Sequence, residues 1–83
     1  MNTYVNGVTQ GIDVAAETFR QLARTAAEVA AGLERLRDHP GDPLKKWNGM
    51  AAVVDAGLQQ LAREAAAGTA AIRMAWVGWE RRN

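Results

Sequence analysis

The sequence predicts an all-α protein, a two-helix antiparallel hairpin in one domain. Long stretches with helical spacing of apolar residues lie on either side of a short turn, Pro40-Gly41-Asp42-Pro43. Proline fixes φ, lacks a backbone N–H and disfavours helix in the residue before it, so the two prolines end one helix and permit another to begin. Because the connection is short, the two helices should lie side by side. The predicted division is an N-terminal segment 1–11, a first helix 12–38, a turn 39–43 and a second helix 44–80.

The first helix is predicted from a heptad pattern that places apolar residues on one stripe. Its members are Val5, Val8, Ile12, Ala15, Phe19, Leu22, Ala26, Val29, Leu33 and Leu36. Gly7 and Gly11 weaken the first turns by about 1 kcal/mol each relative to alanine. We therefore expect the helix to start near Ile12, with the residues before it flexible or ordered only in an assembly.

The turn also predicts how the second helix begins. Asp42 is placed to cap its N-terminus, and Pro43 is placed at its first position, where a missing N–H has no consequence. His39, the one histidine, is interpreted as a solvated residue that interacts favourably with the C-terminal dipole of the first helix.

The second helix has a slightly longer apolar period, near 3.6 residues, which predicts a nearly straight helix. The stripe consists of Met50, Val54, Leu58, Leu61, Ala65, Ile72, Trp76 and Trp79.

Small and apolar residues also occur away from these two stripes. They are Ala16, Ala23, Ala27, Ala30 and Ala31 in the first helix, and Ala52, Ala56, Ala67, Ala70, Met74 and Val77 in the second. Alanine alone would fit a solvated helix, because it is a good helix former. Met74 and Val77 favour the alternative, packing against further helices in an oligomer.

The composition of the chain argues against several classes of function. The chain has 83 residues, a net charge of +1, no cysteine and one histidine. A chain this short commonly needs disulfides, metal or oligomerisation for stability, and only the last suits this composition. The sequence lacks the basic stripe that would indicate a nucleic-acid partner. It also contains neither serine nor cysteine to act as a nucleophile. We expect no catalytic residue, cofactor, metal or small-molecule substrate. We also expect no cleaved leader and no membrane span, which needs about 18 consecutive apolar residues.

Three tryptophans are unusual in so short a chain. Trp76 and Trp79 either anchor an interface or cover the open end of the hairpin against Val5, Val8 and Ile12. Trp47-Asn48-Gly49 resembles the Trp-x-Gly element of leaderless secreted helical hairpins, although here it falls after the turn. That alternative predicts a four-helix dimer with a sister protein. A small helical adaptor or regulator in the cytoplasm is a third interpretation.

The last fifty residues resemble needle subunits of bacterial type III secretion systems. In that family the turn of a helical hairpin reads Pro-x-Asp/Asn-Pro, which Pro40-Gly41-Asp42-Pro43 matches. The preceding Leu33-Glu34-Arg35-Leu36 is similar to the family's approach to the turn. Arg63, Ala65 and Thr69 match its Arg-Asn-Ala-x-Ser-x-Thr segment at the same distance from the turn. The C-terminus departs from the family's usual Ile-rich ending, which leaves needle and inner-rod subunits both open.

The resemblance implies a subunit that polymerises into a hollow extracellular filament, exported without a cleaved signal peptide and conducting unfolded effector proteins. Implied partners are further copies of the chain, export chaperones, a tip protein and basal-body components. Helix two would supply the subunit interface and the channel wall. The candidate interface residues are Leu58, Leu61, Ile72, Met74, Trp76, Val77 and Trp79. The candidate lumen-facing residues are Gln60, Arg63, Arg73 and Arg81.

Overall fold

The protein folds as two long helices. A computed structural model describes residues 3–82, with side chains described for residues 7–78 and for Glu80. Helix α1 spans Thr3–Asp38 and helix α2 spans Pro43–Arg82, and the described residues contain no strand. The helices run antiparallel and contact each other along their length, since Thr18 lies beside Gly68, Val29 beside Gly57 and Leu36 beside Gly49. The predicted all-helical hairpin is confirmed.

Helix α1 begins at Thr3, nine residues earlier than the predicted start at residue 12. The prediction counted Gly7 and Gly11 as helix-weakening residues. In the structure Gly7 is buried, so it lies where helix α1 meets α2, whereas a Cβ on Gly11 would meet no heavy atom within 4 Å. Packing of the helix against its neighbour outweighs the propensity difference of about 1 kcal/mol per glycine. Helix α2 begins at Pro43, as the capping pattern predicted, although the predicted division had started the helix at residue 44, and it continues to Arg82 rather than residue 80.

The connection between the helices satisfies their terminal backbone groups. Asp42 Oδ1 accepts a hydrogen bond from the Leu44 backbone N–H at 3.2 Å, as expected of an N-cap. At the end of α1, the His39 N–H donates to the Arg35 carbonyl at 3.0 Å. Lys46 Nζ donates to the Arg37 carbonyl at 3.2 Å, so the second helix also caps the first.

The hairpin is a thin rod with little interior. Its Cα atoms extend over 63 × 16 × 8 Å, and the radius of gyration is 18.8 Å, against about 12 Å for a compact domain of this length. Among the described residues, Ala75 is the one buried apolar side chain and Thr25 the one buried polar side chain. The other buried positions are Gly7, Gly57 and Gly68. The interior therefore consists of closely apposed backbones rather than large side chains.

Candidate assembly surfaces

The line along which the two helices meet, called here the seam, depends on glycine. A Cβ placed on Gly57 would lie 2.8 Å from Val29 Cγ2 and 3.0 Å from Val29 Cγ1. A Cβ on Gly68 would lie 2.9 Å from Thr18 Cβ. Both distances are far below normal contact, so the helices could not approach as closely with any other residue at these positions. At Gly49 the same test gives 3.4 Å to both methyl groups of Leu36, which is ordinary contact.

A polar pair lies in the seam between these glycines. Thr25 is 8% exposed, and its hydroxyl donates to the carboxylate of Glu64, whose Oε2 lies 2.6 Å away. Glu64 is half-buried. A buried hydroxyl needs a hydrogen-bond partner, and a carboxylate makes a stronger one than a neutral group. This pair joins the two helices near the middle of the rod and fixes their register.

The predicted heptad stripe of α1 coincides with the seam only in part. Leu22, Val29 and Leu36 are half-buried. Ile12 and Phe19 are 61% and 71% exposed, and Ala26 is exposed as well. Sequence reasoning missed the seam residues Thr18, Thr25, Gly57, Glu64 and Gly68. The signal that could have found them is the spacing of eleven residues between Gly57 and Gly68.

Most of the large exposed apolar residues share one side of the hairpin. Phe19, Leu58 and Trp76 each directly follow a seam residue in the sequence, so each lies about 100° further round its helix, and Ile12 lies seven residues before Phe19, within about 20° of it. The helices run in opposite directions, and the same forward rotation therefore carries these side chains to the same side of the rod. We call this side the apolar face, and it comprises Val8, Ile12, Phe19, Leu58 and Trp76, which are 37%, 61%, 71%, 62% and 42% exposed. The exposed alanines Ala26, Ala30, Ala62 and Ala65 lie between them on the same side.

The turn end of the apolar face contains a groove. Its volume is about 410 Å³, and it is lined by Leu33, Leu36, Arg37, Pro43, Lys46, Trp47, Met50 and Val54. Trp47, one of its walls, is 64% exposed. Six of the eight lining residues are apolar, and the other two, Arg37 and Lys46, are cationic.

The opposite side carries charged groups, and we call it the polar face. Glu17, which directly precedes seam residue Thr18, accepts hydrogen bonds from Arg20 and Arg24, both at 3.0 Å. The hydrogen bond from Arg24, and after it that from Arg20, lowers the pKa of the Glu17 carboxyl. A shallow cavity of about 380 Å³ on this side brings Glu17 and Gln21 of α1 together with Glu64 and Ala67 of α2. Residues that precede seam positions in the two helices thus share a side, as the same rotation argument requires.

The predicted interface residues fall into separate groups. Leu58 and Trp76 lie on the apolar face. Leu61 and Ile72 are half-buried beside the seam. Met74 is 65% exposed and directly precedes the seam residue Ala75, so it lies on the polar face. Val77 is half-buried. Trp79 belongs to α2, but its side chain lies outside the described residues.

The predicted lumen-facing residues do not form a single stripe. Gln60, Arg63 and Arg73 are exposed, and Arg63 donates to Gln60 Oε1 at 2.7 Å. At 100° per residue, Arg63 and Arg73 lie about 80° apart on the helix surface. The side chain of Arg81 lies outside the described residues.

Neither a protein-family model, nor a curated protein, nor a solved structure matches this chain. Within residues 3–82, neither helix is long and apolar enough to cross a membrane. The described side chains contain no group of three or more His, Cys, Asp or Glu residues arranged to hold a metal ion. What the geometry offers is a helical hairpin with one exposed apolar face and one polar face.

Proposed function

We propose that the protein is a structural subunit of a bacterial type III secretion needle, which polymerises into a hollow extracellular filament that conducts unfolded proteins. The observation that carries the proposal is the exposed apolar face. Ile12, Phe19 and Leu58 are each more than 60% exposed, and a monomer gains nothing from presenting such side chains to water. The Pro-Gly-Asp-Pro turn, set in register with Arg63, Ala65 and Thr69, supports the choice of this family of filaments.

The amount of exposed surface also supports a subunit rather than a monomer. The accessible surface is 6199 Å², whereas a compact monomer of this mass is expected to expose about 4,900 Å². Part of the difference follows from the rod shape. The buried apolar interior is nevertheless a single alanine side chain among the described residues, which is too little to stabilise a free domain of this size.

In this proposal the chain has no catalytic role and binds no cofactor. Its partners are further copies of itself, the export chaperones, the tip protein and the basal body. The arginines of α2 would present a polar surface to a passing polypeptide, to which apolar segments bind weakly.

Electron microscopy tests the proposal directly. The purified chain is concentrated stepwise and imaged by negative stain, and filaments of uniform diameter with a central channel are expected. In this proposal the chain is exported by the secretion apparatus of which it is a part. A bacterial strain that lacks the chain should therefore also lose its surface needles. A chain that remains a small discrete species at every concentration would refute the needle assignment.

A second candidate is a four-helix pair with a sister protein. The distribution of side chains favours it, since most of the large exposed apolar residues of both helices lie on one face and the charged Glu17 cluster lies on the other. Co-expression with a neighbouring gene product would yield a stable heterodimer, and the isolated chain would then be monomeric by sedimentation.

A further inference from the structure

The two ends of the apolar face differ, because bulky side chains lie toward the open end and a groove lies at the turn end. We propose that a second copy of this chain docks on this face in antiparallel orientation, so that two hairpins form a symmetric four-helix dimer. This inference rests on the proposed self-association through the apolar face and concerns the free chain. An antiparallel pair has two identical ends, so it is not the repeating unit of a filament with a base and a tip and has to dissociate before such a filament forms.

The size of the face suits a stable pair. The Cα atoms of the two helices span 63 × 16 Å on this side, which is roughly 1,000 Å² per copy, slightly more than the ~800 Å² per partner of a standard interface. Docking would cover Ile12, Phe19 and Leu58, the most exposed apolar residues of the face. The exposed alanines between them would allow the helices of the two copies to approach closely.

The partner that covers the apolar face should be an identical chain, because the face is complementary to itself. A two-fold axis pairs one surface with the same surface of the partner and leaves no unpaired patch, whereas the polar face remains outside. Glu17, Arg20 and Arg24, already paired on the polar face, would stay in solvent. The face is closed by one partner and does not propagate.

The orientation follows from the register of the hairpin. Thr18 lies beside Gly68 and Leu36 beside Gly49, so Trp76 lies at the open end and Trp47 at the turn end of the rod. In a parallel pair the bulky open ends would meet each other and the two grooves would coincide, leaving a void. In an antiparallel pair Trp76 of each copy faces the groove beside Trp47 of the other.

The same antiparallel arrangement matches large side chains with small ones. Midway between Trp47 and Trp76 is Ala62, which would lie near the two-fold axis. Around that centre Leu58 faces Ala65 of the second copy. On α1 the corresponding partner of Phe19 is Ala30. Large-to-small pairing of this kind is what allows two helical layers to interdigitate.

Engineered thiols test the geometry, because the chain has no cysteine of its own. Ala62→Cys places a thiol near the proposed axis, and Ala67→Cys places one on the polar face of the same helix; both alanines are exposed. Packed helix axes are about 8–10 Å apart, so a short bis-maleimide should link two Ala62→Cys chains. Efficient dimer formation from Ala62→Cys and little from Ala67→Cys is expected. Equal cross-linking of the two variants, or none from Ala62→Cys, would overturn the arrangement.

A charge substitution tests whether the face contributes to affinity. Leu58 and Met74 are 62% and 65% exposed on the same helix, but they lie on opposite faces. Leu58→Glu should raise the dimer Kd at least about thirty-fold, as for removal of an interface hot spot, while Met74→Glu should leave it within about three-fold. Sedimentation equilibrium measures both. Circular dichroism confirms that each variant is still helical.

The failures of the two proposals are distinguishable. A dimer lost in Leu58→Glu, in a chain that never forms filaments, would refute the needle and support this interface. Filaments from both Leu58→Glu and wild type, with no dimer at any concentration, would overturn the interface and leave the needle standing. A chain that is monomeric alone and pairs through this face only with a different protein would also overturn it.

Discussion

Replacing one seam glycine by alanine should destabilise the protein even though alanine is the better helix former. In Gly57→Ala the new Cβ would lie 2.8 Å and 3.0 Å from the two methyl groups of Val29. Valine is stiff at χ1, and both of its methyl groups already face the glycine, so a rotamer change does not relieve the clash. The helices must separate locally. Overpacking of this kind typically costs about 1–3 kcal/mol.

The gain in helix propensity offsets only part of this cost. Alanine in place of glycine in a helix contributes about 0.5–1 kcal/mol. The expected net loss for Gly57→Ala is about 1 kcal/mol, equivalent to a fall in Tm of about 4–8 °C in a domain of this size. Gly11→Ala is the matched control, because a Cβ at Gly11 would meet no heavy atom within 4 Å. It should raise the Tm by several degrees.

Thermal and urea unfolding followed by far-UV circular dichroism measures both changes. All variants must be compared at one protein concentration, since self-association shifts apparent stability. The double variant Gly57→Ala/Val29→Ala should recover much of the loss, with a coupling free energy of about 1 kcal/mol or more. If Gly57→Ala stabilises the protein as much as Gly11→Ala does, the close approach of the helices at Gly57 is refuted.

Three further substitutions test other parts of the hairpin. Thr25→Val removes the hydroxyl that donates to Glu64 and should lower the free energy of unfolding by about 1–2 kcal/mol. Thr25→Ser keeps a hydroxyl and should be near wild type. Equal stability of the two variants would exclude a role for the hydrogen bond. Asp42→Ala should cost about 1 kcal/mol through the lost N-cap, and Asp42→Asn should cost little. The pKa of Glu17 is lowered chiefly by Arg24. The contribution of this ion pair to folding stability is therefore present above the ordinary pKa of 4.5 and is lost as pH falls through the lower, folded-state pKa. Glu17→Gln should therefore flatten the acid limb of the stability profile, and an unchanged limb would argue against the pairing.

The parts of the fold that depend on local chemistry were predictable. Two prolines with Asp42 between them determine where one helix ends and the next is capped, and this chemistry does not depend on distant residues. The hairpin itself follows from that short connection. The start of α1 was not predictable in the same way, because the burial of Gly7 depends on a helix about seventy residues away in the sequence.

The apolar face illustrates a different limit. Periodicity in the sequence identified Phe19, Leu58 and Trp76 as members of apolar stripes, and the same residues are exposed in the structure. A stripe shows that side chains share a side of a helix, but it does not show which neighbour covers them. Met74 was predicted to lie away from the stripe of Leu58 and Trp76, and it does lie on the opposite face, exposed to 65%.

The mismatch between the heptad stripe and the seam has a simple geometric cause. Seam positions recur every eleven residues, as Gly7, Thr18 and Val29 do in α1 and Gly57 and Gly68 do in α2. Eleven residues make three turns of 3.67 residues, whereas a heptad makes two turns of 3.5. On a nearly straight helix a heptad stripe therefore drifts by about 20° with each repeat.

This drift gives one stripe two different neighbours. Near the turn the stripe of α1 coincides with the seam, so Leu36 packs against Gly49 of α2. Toward the N-terminus it has moved off the seam, so Phe19 and Ile12 lie on the apolar face. A heptad repeat that served the hairpin alone would require the two helices to supercoil and keep the stripe between them. The eleven-residue spacing keeps the glycines of the seam between the two helices instead, and the N-terminal half of the stripe is exposed on the apolar face.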